Sequence, residues 1–137
     1  MMNQIDAFLN LKNVFAVVGV SRNPNKFGNI IYQDLKRKGY KVYAINPNAT
    51  TINGDKSYGS LSELPVKPDV VDVVVPPKVA LEVVKECHAL GIHKVWLQPG
   101  AESDEVIDYC YNHAIEVVYG ACAMVESDNI GKIMRHQ

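Results

Sequence analysis

The stretch NVFAVVGVSRNPNKFG, residues 13–28, joins an apolar run to a polar and basic loop. The first part, NVFAVVGV, is apolar at almost every position, which is typical of a strand buried on both faces of a parallel sheet. Phe27, Ile31 and Leu35 then recur every four residues, and this period predicts a helix from Gly28 to Lys38. The segment therefore predicts a buried strand, a loop and a helix in succession.

The alternation of strand and helix continues along the rest of the chain. Further strands are predicted at KVYAI (41–45), DVVDVVV (69–75), HKVWLQ (93–98) and IEVVY (115–119), and further helices near Pro77, behind Ser103 and from Met124. Right-handed crossovers between parallel strands place the helices on both sides of the sheet. We therefore expect one Rossmann-like α/β domain over residues 1–137, with a doubly wound, mostly parallel sheet and helices on both faces.

The composition limits the class of protein. A chain of 137 residues suits one domain, and its formal net charge of -1 provides no general field that would attract nucleic acid or an anionic membrane. No apolar stretch approaches the roughly 20 residues of a membrane-spanning helix, and the N-terminal residues lack the pattern of a signal peptide. The three cysteines show no C-x-x-C spacing. We expect a cytoplasmic protein with no disulfide framework and no metal site.

The loops after the predicted strands form the candidate ligand site, because doubly wound sheets bind ligands beyond the carboxyl ends of their strands. These loops cover residues 19–28, 46–48, 75–78, 98–101 and 119–124. The histidines lie in or beside the helices or at the tail: His88, His93, His113 and His136. Since no nucleophile, acid and base come together in the pattern, we predict no catalytic residue.

The loop from Gly19 to Gly28 has the composition of an anion site. A glycine at the turn lets backbone amides approach a phosphate, and the start of the next helix adds N–H donors with a partial positive charge. Ser21 can add a hydroxyl group, while Arg22 and Lys26 add positive charge. The two glycines by themselves are weak evidence, because a tight turn and a packing contact would also require them.

Familiar nucleotide loops fit this sequence poorly. The loop matches neither G-x-x-x-x-G-K-[ST] nor G-x-G-x-x-G, in which Ser21 would have to be the second glycine. An NAD site also expects Asp or Glu at the end of the second strand, to bind the ribose hydroxyls. Asn46 and Pro47 stand there instead. An NAD-linked redox module is thus disfavoured, although it is kept as an alternative.

Four motifs, in this order and spacing, resemble the stand-alone CoA-binding domain family. They are AVVGVSRNPNKFGNIIYQDLKRKGYKVYAINP (16–47), INGDKSYGSLSELP (52–65), VDVVVPP (71–77) and VWLQPGA (95–101), and the resemblance runs from about Lys12 to Glu126. Domains of this family are similar to the CoA-binding domain of the succinyl-CoA synthetase alpha subunit. The resemblance implies coenzyme A, or an acyl-CoA, as the small-molecule ligand.

The resemblance also assigns residues to parts of CoA. It implies that the CoA phosphates lie against Gly19, Val20, Ser21, Arg22 and Lys26, and that the turn after the second strand contributes Asn46 and Pro47. Beside the adenosine it places Val75, Pro76 and Pro77. Gln98 is assigned to a further rim loop, and Cys122 matches a cysteine near the end of these domains. The chemistry agrees, because a pyrophosphate and a ribose 3′-phosphate favour cations and an uncharged residue near the ribose.

We therefore expect a CoA- or acyl-CoA-binding protein without catalytic machinery of its own. The synthetase relies on a further domain with a phosphorylated histidine and on a partner that binds ATP, and 137 residues leave no room for either. An acyl-CoA enzyme that needs a separate partner chain is the second alternative, beside the NAD-linked module. The sequence identifies no protein partner. The basic run Lys36–Lys38 falls at the end of the predicted helix, where it complements the helix dipole at the edge opposite the candidate site.

Overall fold

The computed structural model describes residues 3–135, with side chains to residue 130, as an alternation of strands and helices. The helices are α1 (Gln4–Phe8), α2 (Phe27–Arg37), α3 (Pro77–Ala89), α4 (Asp104–Asn112) and α5 (Ala123–Arg135). The strands are β1 (Val14–Val18), β2 (Lys41–Ile45), β3 (Thr51–Ile52), β4 (Asp55–Tyr58), β5 (Val70–Val73), β6 (Lys94–Leu97) and β7 (Glu116–Val118), and a 3-10 turn spans Leu61–Glu63.

The strands form one sheet in the order β3-β4-β2-β1-β5-β6-β7. Strand β1 pairs in parallel with both β2 and β5, so that Val18 lies opposite Ile45 on one side and Val73 on the other. Among the described strands only β3 runs antiparallel to its neighbour. The strand order reverses beside β1, and this confirms the predicted doubly wound, mostly parallel sheet.

Helices cover both faces of the sheet, each over its own hydrophobic core. On one face α3 and α4 pack through Val84 and Cys110 against strand residues such as Val71. On the other face α2 packs through Ile31 and Leu35 against the opposite side of β1. Full burial of a side chain such as Leu35 contributes about 1.5–3 kcal/mol. The apolar run predicted from the sequence is therefore buried on both faces for a simple reason, namely that a helix covers each one.

Two apolar residues that the helical period places on buried faces are exposed. Phe27 is 39% exposed and Val79 is 48% exposed, and each lies in the first turn of its helix. The first turns of α2 and α3 stand at the carboxyl edge of the sheet, where the strands end and cannot cover them.

The pattern of apolar residues predicts no strands between residues 51 and 58, yet β3 and β4 form a hairpin there. Asn53 and Gly54 have φ values of 52° and 83°, as the two central residues of a tight hairpin turn require. The Asn-Gly pair was a usable signal in the sequence. Strand β4 then adds to the edge of β2 and extends the parallel sheet.

The end of the basic run ties α2 to α5. Arg37 and Lys38 lie 2.6 Å and 2.7 Å from the carboxylate oxygens of Asp34, whose side chain is nearly buried. Lys38 Nζ also donates to the carbonyl of Met124 at 2.9 Å and to the hydroxyl of Ser127 at 2.7 Å. The run thus joins two helices at the end of α2 opposite the glycine loop.

No helix of the described residues is long and apolar enough to cross a membrane.

Candidate functional site

The loop between β1 and α2 is held by two glycines that tolerate no side chain. Gly19 has a φ of 104°, and a β-carbon on it would lie 2.4 Å from the carbonyl oxygen of Val74. A β-carbon on Gly28 would lie 2.1 Å from the carbonyl oxygen of Gly19. The first contact brings the loop after β1 against the loop after β5, and the second brings the start of α2 against the end of β1. Close packing alone therefore accounts for both glycines.

The start of α2 leaves backbone donors without a side-chain cap. The N-cap residue is Lys26, which has an extended backbone. Its side chain makes no capping hydrogen bond to the first helical N–H groups. The backbone carbonyl oxygen of Lys26 accepts the N–H of Ile30 at 3.0 Å. Since Lys26 and Arg22 are both exposed, this helix start combines N–H donors and cationic side chains, which is the arrangement that attracts an anion.

Asn46 supports the glycine loop from the end of β2. Its side-chain amide donates to the carbonyl of Val20 at 2.9 Å, and its side-chain oxygen accepts the N–H of Asn48 at 2.8 Å. Ser21 makes a hydrogen bond within the same loop, since its hydroxyl oxygen accepts the N–H of Asn23 at 3.0 Å. Asn46 therefore has two local contacts, and it positions the loop from the place where an NAD site would carry a carboxylate.

Asn29 joins the same loop to the β3–β4 hairpin. It is fully buried, and its amide donates to the carbonyl of Ser21 at 2.7 Å and to the side-chain oxygen of Asn53 at 3.2 Å. Its own oxygen accepts the amide of Asn53 at 2.8 Å and that of Gln33 at 2.6 Å. The paired amides of Asn29 and Asn53 fix the position of Ser21 relative to the hairpin.

Two neighbouring clefts open at this edge of the sheet. The main cleft, of about 450 Å³, is lined by Val18, Gly19, Val20, Ser21, Ile45, Asn46, Pro47, Gly59, Ser60, Val75, Val79, Val83 and Glu86. The side cleft, of about 370 Å³, is lined by Arg22, Pro47, Asn48, Ala49, Thr50 and Thr51. Pro47 lines both, so the clefts adjoin at the end of β2. The main cleft lies beside β1, where the strand order reverses.

The structure brings most of the predicted site residues together, but not all of them. Gly19, Val20, Ser21, Asn46, Pro47 and Val75 line the main cleft, and Arg22 lines the side cleft. Lys26 is exposed at the start of α2 and lines neither cleft, and Pro76 and Pro77 form the N-cap and first residue of α3. Val79, Val83 and Glu86 also line the main cleft, and no signal in the sequence singled them out for it.

Gln98 follows β6 at the predicted rim, but its side chain points inward and is fully buried. Its amide donates to Asp72 at 2.7 Å, and its oxygen accepts the N–H of Ala123 at 3.4 Å. Burial raises the pKa of the Asp72 carboxyl to about 7, and the hydrogen bond from Gln98 opposes this rise only in part. The second carboxyl oxygen of Asp72 has no hydrogen-bond partner among the described residues. Gln98 thus links two strands to the start of α5.

The three cysteines differ in exposure. Cys87 and Cys110 are fully buried, and burial raises the pKa of the Cys87 thiol to about 12 and that of Cys110 to about 11. Cys122 is half-buried in the loop after β7.

Of the histidines, His88 and His113 lie with ring centroids 4.7 Å apart at the ends of α3 and α4, and His136 lies outside the described residues. Within residues 3–130 no group of three metal-ligating side chains comes together.

A parallel doubly wound sheet, with a glycine loop at a helix start beside its point of strand reversal, defines the Rossmann-like class of nucleotide-binding folds. Residues 13–128 match the family described as the CoA binding domain, and the chain belongs to this family.

Relatives of two kinds are similar to the chain. The ADP-forming acetate–CoA ligase II subunit alpha of Pyrococcus furiosus is 27% identical over 129 residues, which cover 86% of this chain and 28% of the ligase subunit. A conserved hypothetical protein from Pyrococcus furiosus is 48% identical, with a TM-score of 0.80 over 83% of this chain and 98% of its own. A hypothetical protein from Pyrococcus horikoshii is 30% identical, with a TM-score of 0.88 over 94% of this chain and 91% of its own. The chain spans less than a third of that ligase subunit.

Proposed function

We propose that the chain binds coenzyme A in the main cleft, with the phosphates against the loop from Gly19 to Lys26. The observation that carries this proposal is the meeting of three elements in one cleft of a CoA-binding-domain family member: the glycine loop, the turn at Asn46 and Pro47, and Val75. The uncapped start of α2 supplies N–H donors, and Arg22 and Lys26 supply the charge that three phosphate groups need.

The same arrangement favours CoA over NAD. An NAD site uses a carboxylate at the end of the second strand to accept both ribose hydroxyls. In this chain Asn46 occupies that place and its amide is already bonded to Val20. The ribose of CoA carries a 3′-phosphate, which a carboxylate would repel. The NAD-linked module is therefore the weaker alternative.

Competitive calorimetry tests the proposal. CoA should bind more tightly than NAD, and dephospho-CoA should be intermediate, because it keeps the pyrophosphate and lacks the 3′-phosphate. Mass spectrometry of the ligand released from purified protein gives an independent check, with CoA or acyl-CoA masses expected. Equal or tighter binding of NAD would overturn the proposal.

A second candidate function follows from the ligase relative. Its name describes an acetate–CoA ligase subunit that this chain matches over 28% of the subunit's length. We propose as the second candidate that the chain acts on an acyl-CoA together with a partner chain that supplies the chemistry. Turnover of acetyl-CoA with ADP and phosphate, measured for the chain with and without candidate ATP-binding partners, separates this function from ligand binding alone.

A further inference from the structure

We propose that Glu86 makes the main cleft specific for an adenine base, by accepting a hydrogen bond from its 6-amino group. The inference rests on the proposed function, since it concerns the base of the bound CoA. Glu86 lies in the third turn of α3 and is the only carboxylate residue among those that line the main cleft.

The cleft itself places the base away from the phosphates. Its polar end is the Gly19–Ser21 segment directly after β1, and its other wall is apolar, formed by Val75, Val79 and Val83. Val79 is 48% exposed. A flat aromatic base would cover this side chain and remove apolar surface from water, whereas a phosphate or a ribose would not.

The backbone donors of the segment from Gly59 to Leu61, beside Glu86, are already occupied. The N–H groups of Gly59 and Ser60 donate to the Oε2 oxygen of Glu63, at 2.5 Å and 3.0 Å. The N–H of Leu61 donates to the Oε1 oxygen of Glu86 at 3.3 Å. The Ser60 hydroxyl is engaged with that of Ser62 at 2.9 Å. None of these backbone N–H groups is left to bind a carbonyl oxygen on a purine.

Glu86 therefore provides a hydrogen-bond acceptor in the main cleft. The bond to Leu61 engages one of its two carboxylate oxygens, and that bond is long, so at least one oxygen can accept a further hydrogen. Adenine offers a donor amino group at position 6. A purine with an oxygen at position 6 instead presents an acceptor to the carboxylate there, and its donor is the ring N–H at position 1. The base would have to shift to offer that donor to Glu86, and an unmatched pair of acceptors is costly.

The test compares CoA with its inosine counterpart, in which the 6-amino group is replaced by oxygen. Isothermal titration of the wild-type chain should show CoA binding at least about tenfold more tightly than this analogue. In Glu86→Ala the ratio of the two affinities should fall towards one, chiefly through weaker binding of CoA. Glu86→Gln should also reduce the ratio, because its amide offers either a donor or an acceptor. The control Glu82→Gln changes an exposed carboxylate one turn earlier on α3 and should leave the ratio unchanged.

The ratio distinguishes base selection from a structural role. If Glu86 only stabilised the turn at Leu61, its removal would weaken both ligands equally and the ratio would stay constant. A wild-type ratio near one, with CoA still bound, would overturn this inference and leave the proposed function intact. Failure of CoA to bind the wild-type chain would overturn the proposed function itself.

Discussion

Gly28 packs against Gly19 so closely that a β-carbon on Gly28 would lie 2.1 Å from the Gly19 carbonyl oxygen. This contact joins the last residues of β1 to the first turn of α2 with no side chain between them. The start of α2 consequently lies close to the end of β1, whose following residues Gly19, Val20 and Ser21 line the main cleft. The contact determines both the stability of the loop and its shape.

Gly28→Ala should therefore lower the free energy of unfolding by about 1–3 kcal/mol, since the added methyl group has no room. Binding of CoA should weaken in parallel, because α2 must move away from β1. Urea unfolding and calorimetry measure the two effects. Ile30→Ala, which removes a partly exposed side chain two residues along the same helix, serves as the control. Unchanged stability in Gly28→Ala would contradict the packing account.

The exposed cations of the loop should contribute to affinity individually. Arg22→Ala and Lys26→Ala each remove a charge-assisted contact to phosphate, worth about 1.5–3 kcal/mol, or roughly ten- to more than a hundredfold in the dissociation constant. Arg37→Ala is the matched control, because Arg37 pairs with Asp34 at the far end of α2. If Arg37→Ala weakened CoA binding as much as the other two, the loop would not be the phosphate site.

Asn29 should act as a positioning residue for the loop. Asn29→Ala leaves the Ser21 carbonyl and the Asn53 side chain without the partners described above, which costs about 1–3 kcal/mol. We expect weaker binding of CoA together with a lower melting temperature. Gln33→Ala removes a single bond to Asn29 from the exposed side and should change both quantities much less. Equal effects of the two variants would argue against the positioning role.

Asp72 should make stability depend on pH. Its carboxyl ionises near pH 4 in an unfolded chain but keeps its proton to about pH 7 in the fold, because burial disfavours the charge. Between these values the folded chain binds more protons than the unfolded chain. The contribution of Asp72 to the free energy of unfolding therefore falls as pH rises from about 4 to 7.

Asp72→Asn keeps the shape of the side chain and removes the titration. The stability difference between variant and wild type should consequently grow in favour of the variant as the pH rises from about 4 to 7. Chemical unfolding at several pH values measures this difference. Asp108→Asn, at an exposed position on α4, should show no such trend. A difference that stays constant across the range would mean that Asp72 does not titrate in this way.

Cys122 should be the reactive thiol among the described cysteines. The pKa values of Cys87 and Cys110 are raised by burial, and the thiolate is the form that reacts. Iodoacetamide should therefore label native protein once, and peptide mapping should locate the label at Cys122. Saturating CoA should slow the labelling if the pantetheine arm passes this loop. Labelling that persists in Cys122→Ser at the native rate would contradict the assignment.

The sequence by itself determined the fold class and singled out the loop proposed to bind phosphate. Apolar runs such as residues 14–18 can be buried on both faces only in a sheet covered by helices, and the periodic helix after Gly28 supplies one such cover. The glycines, Ser21 and Arg22 could be identified because the chemistry of an anion loop is local in the chain. The resemblance to CoA-binding domains added coenzyme A as the proposed ligand, and the family match over residues 13–128 agrees with the resemblance.

Tertiary structure decided which side chains line the main cleft. Gln98 stands at the predicted rim, yet its side chain turns inward to Asp72. It does so because a buried carboxyl group requires a hydrogen-bond partner. Val79 has the spacing of a core residue and lines the main cleft, since the strands end below it. Glu86 and Gly59 are 27 positions apart and meet only when α3 packs beside the end of β4. A sequence pattern reports periodicity within one element, whereas a cleft is made where several elements end.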